Sequence, residues 1–172
     1  MDSRIKEYVI RKIDNLDWFE INIGDYKIDF SKKLKKALNS KLDGLYFIRT
    51  NTPINTLKSL KNKNGTSKKT NINQTITRNE TSIGIHNLTI PFSVDGYIVY
   101  NGKGINILSR VGAHIRNLPN PKTGCLGLGR YKTKLNKNKW EIAFIEENDP
   151  AMRTFIEQGF RGHYGWPILC KE

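Results

Sequence analysis

One stretch of this chain carries most of its chemical interest: Tyr100-Asn101-Gly102-Lys103-Gly104-Ile105-Asn106-Ile107-Leu108-Ser109-Arg110, continuing to His114. Gly96-Tyr97-Ile98-Val99-Tyr100 reads as a strand that delivers a tyrosine. Asn101-Gly102-Lys103-Gly104 reads as a turn at which a phosphate can approach the backbone. A helix follows over about 105–117, burying Ile105, Leu108, Val111, Ile115 and Leu118, with its first N–H groups facing outward. Arg110 and His114 stand four apart and share one side of it. One fixed cation and one titratable ring are thus set beside the same turn, which by itself is only a generic phosphate-loop signal. The stretch is neither a P-loop, since the Gly-Lys-Ser/Thr ending is absent, nor a dinucleotide fingerprint, since Ile107 stands where the third glycine belongs.

Other elements must position these groups. Ile5, Val9, Ile13 and Leu16 predict an amphipathic helix over 3–16. Trp18 to Ile23 alternates, and Gly24-Asp25 can turn it into a hairpin with Tyr26–Phe30. Ser31 can cap a short basic helix over 32–39. Gly44-Leu45-Tyr46-Phe47-Ile48 reads as a buried strand. Residues 50–80 lack apolar periodicity and read as a long loop or insertion, with a weak strand over Ile83–Ile90 and a basic loop over 119–138. Trp140 to Ile145 forms a strong strand. Asp149-Pro150 opens a final helix whose apolar face is Met152, Phe155, Ile156 and Phe160, stopped by His163-Tyr164-Gly165-Trp166-Pro167.

Composition narrows the partner. The 172 residues suit a single domain, and the formal net charge is +13. Residues 44–140 hold 16 Lys/Arg against only Glu80 and Asp95, and the rest of the chain is close to neutral. A surplus concentrated in one region, unlike one spread for solubility, points to a polyanion. Cys125 and Cys170 have no metal-ligand spacing and make no disulfide framework. No apolar run approaches the ~18 residues of a membrane span, and no secretory stretch opens the chain. A cytoplasmic protein with no membrane partner is expected.

The pattern from Tyr100 through Arg110 to His114 resembles the second half of the GIY-YIG nuclease signature. Gly44-Leu45-Tyr46 matches its first half, and Glu157, in Phe155-Ile156-Glu157-Gln158 with Tyr164 and Pro167 downstream, matches its late-helix glutamate. The likeness covers 44–49 and 96–169. It implies an α/β fold: a small three-stranded antiparallel sheet flanked by helices, with an N-terminal extension over 1–43 and an insertion over 50–95. Three departures stand out. About 50 residues separate the tyrosine strands, Asn101 replaces an apolar residue, and Leu169 and Cys170 stand where many members have an asparagine, a role Asn106 could take over.

The resemblance implies a divalent-metal-dependent endonuclease hydrolysing double-stranded DNA, in the manner of a small restriction enzyme and as a homodimer on its substrate. Tyr46 would be the general base with Tyr100 and His114 close by, and Arg110 would clamp the scissile phosphate. Lys103 would orient water or contact phosphate. Glu157 would hold Mg²⁺, with Mn²⁺ as a substitute. DNA contacts are expected from Lys58, Lys61, Lys63, Lys68 and Lys69 in the insertion, and from Arg116, Lys122, Arg130, Lys132 and Lys134 around the basic loop. A non-catalytic nucleic-acid binder, a homing or nicking enzyme and an RNA endonuclease are the alternatives.

Overall fold

The computed structural model describes residues 3–23, 42–61, 70–89, 96–117 and 124–171. Four antiparallel strands form one sheet: β1 (Phe19–Glu20), β2 (Gly44–Thr50), β3 (Tyr97–Gly104) and β4 (Trp140–Glu146), in the order β1-β4-β2-β3. The expected three strands are therefore joined by a fourth, because Phe19 and Glu20 pair with Ile142 and Glu141. The hairpin partner over 26–30 and the helix over 32–39 lie outside the described residues.

Strand β2 is buried along nearly its whole length, since apolar layers cover both faces of the sheet. On one face Tyr46, Ile48, Val99 and Ile142 pack against Ile107, Val111 and Ile115 of α4 (Ile107–Ile115). The same cluster takes Leu57 of α2 (Ile54–Lys58) and Ile72 and Ile76 of α3 (Ile72–Asn79). On the other face Leu45, Phe47 and Ile145 meet Val9 and Ile13 of α1 (Ser3–Asp14), together with Ile156 and Phe160 of α6 (Pro150–Tyr164). Helices α1 and α6 touch at Gly159, where a Cβ would come within 2.9 Å of the Val9 side chain. Asp149 caps α6 by accepting from the Ala151 N–H, and Pro150 stands in the first turn, as the sequence signals.

Several expectations are corrected. The insertion is not a bare loop: it contains α2 and α3, and α3 runs into a π-turn at Glu80–Gly84 and a 3₁₀ turn at Ile85–Asn87. That helical path replaces the expected strand over 83–90, of which only Leu88 makes a bridge, to Trp166. The basic loop carries a 3₁₀ turn at Leu128–Tyr131 and the short helix α5 (Lys132–Leu135). Ile105 is exposed rather than buried, because α4 begins two residues later behind the Asn106 cap.

Candidate active site

Strand β3 does not end in a glycine turn after Tyr100; it runs on to Gly104. Its pairing with β2 explains both glycine and tyrosine positions. Tyr46 lies opposite Gly102, and a Cβ at Gly102 would fall 2.5 Å from the Tyr46 ring and hydroxyl. Gly102 therefore makes room for the first tyrosine, not for a phosphate. Register shifts between Ile48↔Tyr100 and Arg49↔Ile98, which leaves Val99 as the extra residue of a β-bulge. Strict alternation would send Tyr100 to the Ile98 side. The bulge instead places Val99 and Tyr100 on the same face as Tyr46. The C-terminal tail seals this irregularity, the Leu169 N–H donating to the Val99 carbonyl at 2.8 Å.

On that face four groups distant in sequence converge. The Tyr46 hydroxyl lies 2.9 Å from His114 Nε2. The Tyr100 ring stands 4.4 Å from the His114 ring and 6.0 Å from that of Tyr46, centroid to centroid. The Arg110 charge, and hydrogen bonding by Tyr100 and Arg110, favour the ionised form of Tyr46. His114 is buried, and burial, with the Arg110 charge, drives its pKa down to about 3, so the ring is neutral. Its Nδ1 accepts from the Leu126 N–H at 3.1 Å. The ring proton must then sit on Nε2 and be donated to Tyr46 Oη. Burial pushes Tyr46 up to about 12 against the lowering effect of Arg110 and Tyr100, and pushes Tyr100 up as well.

Glu157 is not in this group. Asn101 and Lys103 pair with Phe47 and Leu45, so they face the α6 side of the sheet, away from Tyr46. There Glu157 Oε1 accepts from Asn101 Nδ2 at 3.1 Å and Arg161 Nη2 at 3.0 Å. Its Oε2 is 2.8 Å from Lys103 Nζ, which also donates to Thr154 Oγ1. Arg161 lies over the Trp166 ring, 4.0 Å from its centroid. The single expected pocket is thus two clusters set back to back across β3, which meet at the outer edge of that strand, where the C-terminal tail lies. Cys170 joins them there. Its buried thiol, pushed up to about 12 by burial, accepts from the Asn101 N–H at 3.3 Å and sits as close to Asn101 Oδ1.

The donor set sets a condition on any metal. No group of three metal-ligating side chains exists among the described residues, and both oxygens of Glu157 are engaged. They fit one hydrated ion held by a single carboxylate only where the half-exposed Lys103 ammonium yields its place at Oε2.

Among the residues expected to contact DNA, Arg130 is anchored to the backbone. Its guanidinium donates to the carbonyls of Gly127, Thr70 and Leu126, tying the insertion to the basic loop. Lys58 is paired with Glu80 at 2.6 Å. Lys61, Lys132 and Lys134 are exposed, and Arg116 is half-buried. Lys63, Lys68, Lys69 and Lys122 lie outside the described residues. Asn106 stands at the start of α4. It caps α4, with a left-handed φ of 52° and its side chain accepting from the Ser109 N–H. Asn101, Arg161 and Cys170 went unread as site residues. Arg161, one helical turn beyond Glu157, was the legible one.

No family model matches the chain, and neither a curated protein nor a solved structure matches it.

Proposed function

We propose that the protein is an endonuclease that hydrolyses phosphodiester bonds of double-stranded DNA. The observation that carries the reading is the convergence of Tyr46, Tyr100, His114 and Arg110 on one phenol oxygen, within a chain whose surplus positive charge lies in the same region. Three donors around that oxygen favour the phenolate, the form in which a tyrosine takes a proton from an attacking water. His114, with its tautomer set by Leu126, holds Tyr46 in place and donates to it. Arg110, half-buried at the same spot, offers its remaining N–H groups to the phosphoryl oxygens.

On the other side of β3, Lys103 and Arg161 present positive charge next to the same strand edge. Glu157 would hold a divalent ion, most suitably Mg²⁺, which would supply charge neutralisation at the phosphate. Dimerisation on duplex DNA follows from one catalytic set per strand. Sequence-specific restriction is the proposed form of the activity, with the basic region supplying sequence-independent affinity for the duplex.

The test is incubation with long duplex DNA and Mg²⁺, in parallel with structured RNA. Discrete fragments from DNA, lost in Arg110→Ala and strongly reduced in Glu157→Gln, are expected. Uncut DNA with salt-sensitive binding would replace the reading with a non-catalytic binder, and preferential RNA cleavage would replace the substrate.

A further inference from the structure

Helix α3 divides its residues between a buried side and an exposed side. Ile72, Thr75, Ile76 and Asn79 are buried, whereas Gln74, Thr77 and Arg78 are exposed on the outer side. Asn71 caps the helix by accepting from the Gln74 N–H at 3.2 Å, which leaves the Gln74 amide side chain pointing outward on a fixed turn. Gln74 and Arg78 are one turn apart and line a shared depression of ≈ 450 Å³ with Asn71, Thr75 and Lys171. The carboxylate that follows the helix, Glu80 at the start of the π-turn, is taken up by Lys58. The face is therefore amide, guanidinium and ammonium without a free acid among its described residues.

Hydrogen bonds tie the inner side of this helix to the C-terminal tail. Asn79 Nδ2 donates to the carbonyls of Ile168 at 3.0 Å and Cys170 at 2.7 Å. Cys170 in turn contacts Asn101, and Asn101 holds Glu157. A chain of hydrogen bonds thus links α3 to the outer edge of β3.

From these features we infer that α3 is the base-reading element of the protein: it enters the major groove of duplex DNA, with Gln74 and Arg78 contacting base edges and Lys171 a flanking phosphate. The inference rests on the duplex-DNA reading above and adds to it the residues that choose the sequence. Charge complementarity selects the occupant, since the insertion and the adjoining region carry the chain's positive surplus. The chemistry of the two side chains selects base reading over simple phosphate contact. An amide matches the paired donor and acceptor of adenine, and a guanidinium the two acceptors of guanine. Their separation of about 6 Å suits base pairs one or two steps apart at about 3.4 Å per step. A B-form major groove of about 12 Å admits such a helix, whereas the deep, narrow A-form groove of RNA does not.

Selection of bound sequences from a random duplex pool tests this without requiring cleavage. The full chain, carrying Tyr46→Phe to prevent cutting, should enrich a defined motif. Arg78→Ala and Gln74→Ala in that background should each relax one base-pair position by roughly tenfold to a hundredfold. Arg78→Lys should relax the same position while leaving the salt dependence of binding to unrelated duplex unchanged, which a loss of phosphate contact or of folding would not do. A motif retained at every position by these variants overturns the inference, as does the absence of any motif or enrichment only from an RNA pool. A motif relaxed by these variants, in a protein whose wild-type chain cuts no DNA, would uphold the reading helix and remove the nuclease.

Discussion

Tyr46 is the residue on which the proposed chemistry turns, and its environment pulls in two directions. Arg110, Tyr100 and the His114 Nε2–H favour the phenolate, yet burial wins and holds the hydroxyl up to about 12. Near neutrality the basic form is then scarce. The cleavage rate should rise about tenfold per pH unit from pH 6 to pH 9; a plateau below pH 8 in a pH–rate profile would exclude Tyr46 as the base. His114 gives a separate, stability-based prediction. Its folded pKa, about 3, lies below the ordinary 6.5, so only the unfolded chain takes up this proton between those values. Stability should therefore fall as pH drops below 6.5, by up to about 1.4 kcal/mol per pH unit from this group alone. Denaturant titrations of His114→Gln should show that part of the slope removed.

At the level of elements, β3 does the positioning, through one glycine and one bulge. Gly102→Ala would drive a methyl group into the Tyr46 ring, and we expect a loss of about 1–3 kcal/mol in a urea titration together with loss of cleavage. Unchanged melting and activity would show that the ring is free to move. Asn101→Ala should cost a similar ~1–3 kcal/mol, because it strips partners from Glu157 and Arg161 in a partly buried network. Helices α1 and α6, and strands β2 and β4, were legible from periodicity because long apolar stripes meet a two-sided sheet. The bulge was not, since a one-residue shift in pairing leaves no mark on composition. Helix α3 was hidden as well. Two of its four inward residues, Thr75 and Asn79, are polar, so its stripe carries only two apolar side chains. Of the candidate site, the tyrosines, Arg110 and His114 were readable by type and spacing. The separation of Glu157 was not, because it depends on which strand face Asn101 and Lys103 take after the bulge.

Across the described residues, the sheet divides the chemistry into an aromatic side and an ion-paired side that meet at the outer edge of β3, beside the C-terminal tail. The positive surplus of residues 44–140 surrounds that edge in sequence. Binding to unrelated duplex DNA should weaken steeply with salt, with a log–log slope of about −3 or steeper, as several released counterions require; a flat dependence would remove DNA as the partner. The most direct measurement is single-turnover cleavage of a duplex DNA substrate by wild type and Tyr46→Phe at saturating protein. Loss of the one hydroxyl should reduce the cleavage rate at least about a hundredfold while DNA affinity stays within about twofold. Equal cleavage rates for the two chains would contradict the account.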